Sequence, residues 1–328
     1  MRLPVLAGLT AAIAVLAGSP ASAQQPAAGS EVELQAPGPN GALAGTMVEA
    51  GAGAPVVLIV PGSGPTDRNG DNPLGVAGGI YRQVAQGLAA RGIASVRIDK
   101  RGLFGSHAAI PDPSDVTIAD YAADVHNWIA VIRKRNAVPC VWVMGHSEGG
   151  LVALVAAQQP GDICGLLLVS SMGRSMGEVF RAQFRANPAN APILAAAMST
   201  IDALEAGRTV DPATLPSPLD KIFYAKVQRY LINAYSYDPT LLAAAYKGPM
   251  LILQGKRDLQ VALEDAMRLK NAHPAARLVT LDDVNHVLKP VTGDSRGANV
   301  ATYADASLPI DPAVTDAIAT MVLAQPRR

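Results

Sequence analysis

The feature that most constrains this chain is a succession of short apolar runs, at residues 56–60, 93–98, 141–144, 166–169 and 250–253, each bounded by glycine, proline or charge. A strand with one face in water alternates apolar and polar residues. Runs this continuous need cover on both faces, as a parallel sheet clothed by helices provides. Helix-compatible segments lie between them, at residues 80–90, 118–133, 149–158 and 263–271. Strand and helix in alternation predict an α/β chain with a mostly parallel, doubly wound sheet. Upstream, residues 31–35 and 43–48 alternate around Pro37-Gly38-Pro39-Asn40-Gly41, which predicts an N-terminal antiparallel hairpin at the sheet's edge.

The rhythm breaks at about residues 172–247, a long helix-compatible stretch interrupted by prolines at 188, 192, 212, 216 and 218. It reads as a helical insertion, and its place after a strand's carboxyl end predicts a lid over the site. Residues 1–23 combine Arg2, an apolar run at 5–17 and Ala21-Ser22-Ala23, the pattern of a cleavable signal peptide. The run is too short for a stable membrane anchor, so the chain is expected to be exported, to the periplasm or beyond. Residues 24–30, rich in Ala, Gln, Pro and Gly, predict a disordered leader ahead of one domain at 31–328. Of the 328 residues 49% are apolar and 16% charged, with a formal net charge of zero. That composition supplies a large core and gives no electrostatic footprint for nucleic acid.

Gly145-His146-Ser147-Glu148-Gly149 matches G-x-S-x-G between an apolar strand and a helix-compatible segment. A serine on so sharp a turn is exposed for attack, and flanking glycines let the neighbouring elements approach. Ser147 is therefore the expected nucleophile. Its hydroxyl needs a base, and that base needs an acid to fix its tautomer. Five histidines are available. His146 adjoins the serine but points to the other side of the turn. His107 and His126 precede the serine, whereas this arrangement runs Ser, Asp or Glu, His along the chain. His273 ends a predicted helix before Pro274, a capping or solvent-facing place. His286 follows the apolar stretch 278–281 and is the expected base. Asp258, just after the strand at 250–253, is the expected acid, with Asp282 and Asp283 as competitors better placed to shape the histidine's loop.

A tetrahedral intermediate also needs amide donors for its oxyanion. The backbone N–H groups of Glu148 and of Ser63, in Pro61-Gly62-Ser63-Gly64-Pro65, are the candidates. Two charged loops, Asp67-Arg68-Asn69-Gly70-Asp71-Asn72 and Asp99-Lys100-Arg101-Gly102, follow strands ending at the same edge. They could brace the oxyanion loop by ion pairing or be ordinary polar turns. Cys140 and Cys164 flank the starts of two strands expected to be neighbours, where a bridge or two buried thiols would both fit. The rings Phe180, Phe184, Phe223, Tyr224, Tyr230, Tyr235 and Tyr237 concentrate in the insertion of a chain with 4% aromatic residues, and at least two are expected to line the substrate cavity.

Together these marks resemble a bacterial family of exported α/β-hydrolases with esterase activity. They are Pro61-Gly62-Ser63-Gly64-Pro65-Thr66-Asp67-Arg68, Asp99-Lys100-Arg101-Gly102, the pentapeptide at Ser147, Gln254-Gly255 through Asp258, and Asn285-His286-Val287-Leu288-Lys289. The resemblance implies the α/β-hydrolase fold, Ser147, Asp258 and His286 as triad, and acyl esters as substrates. Many relatives have His-Gly where this chain has Pro61-Gly62. The wider superfamily's D-x-R-G-x-G-x-S has Phe104 here in place of its second glycine. The expected activity is ester hydrolysis through an acyl-enzyme, with no metal or organic cofactor. A peptidase or amidase using the same three residues, or a silent binding protein of the same fold, are the competing readings.

Overall fold

The computed structural model describes residues 29–324. The expected signal segment 1–23, and the leader apart from Gly29 and Ser30, lie outside the described residues. The strands are β1 (Glu31–Pro37), β2 (Ala42–Val48), β3 (Val56–Val60), β4 (Ala94–Ile98), β5 (Val141–His146), β6 (Ile163–Val169), β7 (Met250–Gly255) and β8 (Arg277–Leu281). They form one sheet in the order β1-β2-β4-β3-β5-β6-β7-β8. Strand β1 pairs antiparallel with β2 and β2 antiparallel with β4, and every later pairing is parallel. This is the α/β-hydrolase fold, with the hairpin on the edge where its alternating pattern places it.

Helices cover both faces. Helix α1 (Ile80–Ala89) packs beneath one face with the last helix of the chain, and α2 (Ile118–Asn136) and α3 (Glu148–Ala156) pack on the other. Strands β3 and β4 are buried along their whole length, as the continuous runs require. Two of the buried residues of β4 are polar, Ser95 and Arg97, and the Arg97 guanidinium, in a residue only 1% exposed, is held by Glu31 at 2.7 Å and the Asn69 side chain at 2.6 Å. A buried charge persists only with such partners. Cys140 and Cys164 are bonded to one another, their Cα atoms 5.1 Å apart.

Between β6 and β7 the chain forms α4 (Met176–Ala186), α5 (Leu194–Glu205), α6 (Leu219–Ile222), α7 (Ala225–Tyr235) and α8 (Pro239–Ala245). Ser175 starts α4 with a capping box completed by Glu178. Just before it, Gly173 and Arg174 are fastened to Asp265, which is buried in α9 (Leu263–Ala272). After β8 come α10 (Arg296–Ala304) and α11 (Pro312–Leu323). Among the described residues, no helix is long and apolar enough to cross a membrane.

Candidate active site

Because β3, β5, β7 and β8 run parallel, the loops that follow them emerge on one edge of the sheet. Ser147 stands between β5 and α3 with φ 54° and ψ −121°, a backbone that side-chain-bearing residues rarely adopt. Its neighbours make that turn possible. A Cβ on Gly145 would lie 2.2 Å from the Gly149 carbonyl oxygen, and one on Gly149 would lie 2.3 Å from the Val60 oxygen. Only glycine lets strand, helix and oxyanion loop close to this distance.

Asp258, in the loop after β7, is buried and accepts backbone N–H groups from Gln260 at 2.7 Å and Val261 at 2.9 Å on one oxygen. Its other oxygen accepts from His286 Nδ1 at 2.8 Å and from Gln254 Nε2 at 3.2 Å. Burial alone would raise its pKa, but the His286 ring and the backbone donors outweigh burial and hold it below the usual carboxylate range. A carboxylate can only accept, so Nδ1 carries the proton and Nε2 is left as the basic nitrogen of His286. The competing acids go elsewhere. Asp282 pairs with Lys256 at 2.7 Å, and Asp283 lies 3.9 Å from Arg257 in solvent.

The loop bearing His286 is tied to α10, an attachment the sequence did not announce. Asn285 donates its side-chain amide to Thr302 at 2.6 Å and to Asn299 at 3.1 Å. Lys289, fully buried, donates to the carbonyls of Asp305, Thr302 and Ala77 at 2.6, 2.9 and 3.2 Å.

His146 does not turn away from the site as expected: it lines the same cavity as Ser147 and His286, its ring centre 4.9 Å from that of His286, and takes part in a chain of buried hydrogen bonds. Gly62 N–H donates to the Tyr81 hydroxyl at 3.0 Å, and that hydroxyl is 2.9 Å from His146 Nδ1. With the amide donating to it, the hydroxyl donates onward, so His146 is protonated at Nε2 and donates to the His286 carbonyl at 2.9 Å. Burial, and secondarily the neighbouring His286, push the His146 pKa down to about 3. A histidine shifted below its ordinary value of 6.5 binds fewer protons folded than unfolded, so the stability it confers is full above 6.5 and is lost as pH falls toward 3. We therefore expect stability to drop by about 1.4 kcal/mol per pH unit below that point on account of this one group. Urea midpoints of the wild type and His146→Gln at pH 7, 6 and 5 check it. Equal slopes in the two proteins would rule out the assignment.

The remaining histidines are placed apart. His107 is exposed beside the Phe104 carbonyl, and His126 lies 3.1 Å from the Ala156 carbonyl. His273 caps α9, its backbone N–H donating to the Leu269 carbonyl at 2.9 Å, one of the two places expected for it. It is buried, 3.2 Å from the Ala243 carbonyl and stacked on Tyr246.

Ser63 lies exposed in the loop after β3, and Glu148 opens α3 with its carboxylate turned to Lys100 at 3.3 Å. Of the two readings left open for the charged loops, ion pairing holds. Arg68 donates its backbone N–H and Nε to Asp99 at 2.8 and 3.0 Å, and Lys100 donates to the Gly62 carbonyl at 2.7 Å. Phe104 carries φ 45°, so the position where the superfamily places glycine keeps glycine's backbone in this chain too. Gly105 beside it is packed so closely that a Cβ would lie 2.7 Å from Arg68.

A cavity of about 270 Å³ opens at this edge. Ser147, His286, Ser63 and Gly62 line it, with Met172, Val179, Phe180, Gln183 and Val261 among its other walls. Here the expectation for the aromatic rings is corrected, because only Phe180 of that set reaches this cavity. Phe184 stacks on Phe223 and Tyr235 packs on Phe180, so these rings fill the space between the inserted helices. Tyr224 and Tyr230 line a second cavity of about 230 Å³, with Gly64, Lys100, Tyr121 and Glu148. Among the described residues no group of three or more His, Cys, Asp or Glu side chains could hold a metal ion.

A parallel sheet with a serine on a strained strand-to-helix turn, and a histidine oriented by a buried aspartate on the same edge, defines a hydrolase of the α/β-hydrolase fold. Residues 74–240, just over half of the chain, match the family described as serine aminopeptidase, S33, and the chain belongs to that family. The matched span contains Ser147 and stops short of Asp258 and His286. Esterase EstD of Thermotoga maritima is 25% identical over 251 residues, 75% of this chain and 57% of that protein. Lipase 1 of Psychrobacter immobilis is 24% identical over 206 residues, 57% of this chain and 65% of that protein. The chain thus spans well under the full length of these two relatives. An esterase structure from Pyrococcus furiosus shares the fold, with a TM-score of 0.55 at 17% identity, over 89% of this chain and 91% of that one.

Proposed function

We propose that this chain is an exported serine hydrolase that cleaves small, uncharged carboxylic esters of short or medium acyl chain. Ser147 attacks the ester carbonyl while His286 Nε2 takes its proton, and Asp258 stabilises the imidazolium that forms. The N–H groups of Ser63 and Glu148 receive the oxyanion. Collapse of the intermediate expels the alcohol, protonated by His286, and water then releases the acid by the same steps in reverse order. Export is supported by the signal-like pattern of residues 1–23.

The observation that carries this reading is the character of the cavity wall. Ser147 and His286 open onto a space in which, among the described residues, no acidic side chain is exposed. An aminopeptidase must place a carboxylate against the substrate's ammonium group, since burying an unpaired charge is costly. This wall of Met172, Val179, Phe180 and Val261 suits a neutral acyl group instead. The small volume, below the roughly 300–1,000 Å³ that encloses drug-sized ligands, favours short chains. The inserted helix α4 supplies Val179, Phe180 and Gln183 to this wall, so we assign the insertion the part of a lid that sets acyl length.

The test is a panel of nitrophenyl esters from acetate to palmitate, run beside aminoacyl amides and with fluorophosphonate labelling of Ser147. The expected result is covalent labelling, kcat/KM highest on a short or medium ester, and slow turnover of the amides. Highest kcat/KM on palmitate, rising at a lipid interface, would make the protein a lipase. Faster cleavage of aminoacyl amides would make it a peptidase. Absence of labelling would leave a binding protein.

A further inference from the structure

The ammonium of Lys100 lies where the proposed reaction gives it no chemical step. Its side chain is 4% exposed, and it lines the second cavity, to which Ser147 does not contribute. It donates to the Gly62 carbonyl at 2.7 Å and to the Glu148 carboxylate at 3.3 Å, and sits 5.3 Å from the centre of the Tyr121 ring. The Gly62 carbonyl and the Ser63 N–H belong to one trans peptide plane, so they point in opposite directions. Fixing the oxygen toward Lys100 therefore turns the Ser63 N–H away from Lys100, and Ser63 lines the cavity it shares with Ser147. Gly62 is close enough to the nucleophile for a Cβ on it to stand 3.3 Å from Ser147 Cβ. Its own N–H is already held by Tyr81 at 3.0 Å, so the peptide groups on both sides of its Cα are fixed.

We propose that Lys100 is a positioning residue of the oxyanion hole, pinning the Gly62 carbonyl so that the Ser63 N–H is aimed at the oxyanion, with Glu148 as its counter-ion. The inference rests on the hydrolase reading above. The arrangement links both donor peptides through one buried ion pair. Lys100 orients the Ser63 amide, and the Glu148 carboxylate that holds Lys100 belongs to the residue supplying the second N–H. A cation at the carbonyl end also polarises the peptide and strengthens its N–H as a donor, an effect enlarged where water is excluded. Because the aim is set before substrate arrives, its benefit falls on the transition state and not on ground-state binding.

The experiment compares the wild type, Lys100→Met and the double variant Lys100→Met/Glu148→Gln. The single variant strands a buried carboxylate and can fail to fold. The double variant removes both charges and carries the test if it does. The readouts are thermal melting, kcat and KM on a short nitrophenyl ester, and the affinity of a trifluoromethyl ketone whose adduct with Ser147 places an oxyanion in the hole. Losing one oxyanion donor outright costs about 10²–10³ in kcat, and a donor left in place but mis-aimed is expected to cost about 30- to 100-fold. The expected result for the double variant is that loss in kcat, an equal loss in ketone affinity and KM within about threefold of wild type. A merely structural role predicts that kcat returns with stability in the double variant, and kcat within about threefold of wild type would overturn the proposal. Wild-type turnover and fluorophosphonate labelling separate the two readings. If the wild type does neither, the hydrolase reading falls and this inference with it. If it does both and the double variant keeps full activity, only the inference falls.

Discussion

Asp258→Asn is expected to lower kcat about ten-thousandfold while leaving KM and the folded structure close to those of the wild type. The reason lies in how the carboxylate's oxygens are used. One accepts the backbone N–H groups of Gln260 and Val261, and the other accepts His286 Nδ1. An asparagine has one acceptor and one donor end, and two fixed amide donors keep its oxygen where they are. Its NH2 group then faces His286 and can be satisfied only by an unprotonated Nδ1. The ring proton moves to Nε2, and the histidine that should take the Ser147 proton presents a donor instead. The same NH2 also meets Gln254 Nε2, a second donor, where the carboxylate oxygen stood. Ser147→Ala should remove turnover at least as completely, because the groups act as a unit. Asp283→Asn is the control, since Asp283 is 68% exposed and its nearest cation, on Arg257, is 3.9 Å away. Its kcat should stay within about threefold of wild type. Steady-state kinetics with thermal melts on these variants decide the matter. Near-normal turnover in Asp258→Asn with loss in Asp283→Asn would transfer the acid's role to Asp283.

The residues whose environment is local were the legible ones. Strands β3, β5, β6 and β7 announce themselves because burial on both faces leaves continuous apolar runs, and the turn at Ser147 because its glycines are forced by contacts within a few residues. Asp258 and His286 followed from the rule that loops after parallel strands share an edge. Groups whose meaning depends on a distant partner were not legible. Tyr81 reads as one more core residue of an amphipathic helix, and its hydroxyl acquires a role only from His146, 65 positions later. For Lys100 the sequence left bracing of the oxyanion loop and an ordinary polar turn equally open, and nothing near Lys289 marks it as buried, yet both are buried against backbone carbonyls from remote segments. Helix α10 buries a polar residue, Asn299, and works by holding Asn285, a role that depends on a partner in another segment. Helix α11 did carry a signal, with Asp311 as N-cap and Pro312 in the first turn, a start pattern that the sequence offers without any partner.

The junction between sheet and insertion leads to the second large effect, on stability. Asp265→Ala is expected to destabilise the protein by about 3–5 kcal/mol, the range for removing one member of a buried ion pair. Asp265 is fully buried, and one oxygen accepts the backbone N–H groups of Gly173 and Arg174 at 3.1 and 3.0 Å and Arg174 Nε at 2.9 Å. Its other oxygen accepts Arg174 Nη2 at 2.6 Å and the Ala262 N–H at 3.1 Å. Truncation would leave three backbone donors and a guanidinium, 13% exposed, without their acceptor. The contact cannot re-form by collapse, because Gly173 already lies so near that a Cβ on it would stand 2.1 Å from the Asp265 carbonyl oxygen. Asp265→Asn keeps the shape and one acceptor, so its loss should be smaller than that of the alanine variant. The consequence extends to the cavity, since α4 begins three residues after Gly173 and carries Val179, Phe180 and Gln183 into its wall. The folded fraction of Asp265→Ala should therefore show a raised KM for its best ester with kcat reduced less, the mark of a loosened wall around intact chemistry. Urea unfolding gives the stability and steady-state kinetics the split. A loss under about 1 kcal/mol would mean that the insertion is seated by its apolar packing alone, without help from this ion pair.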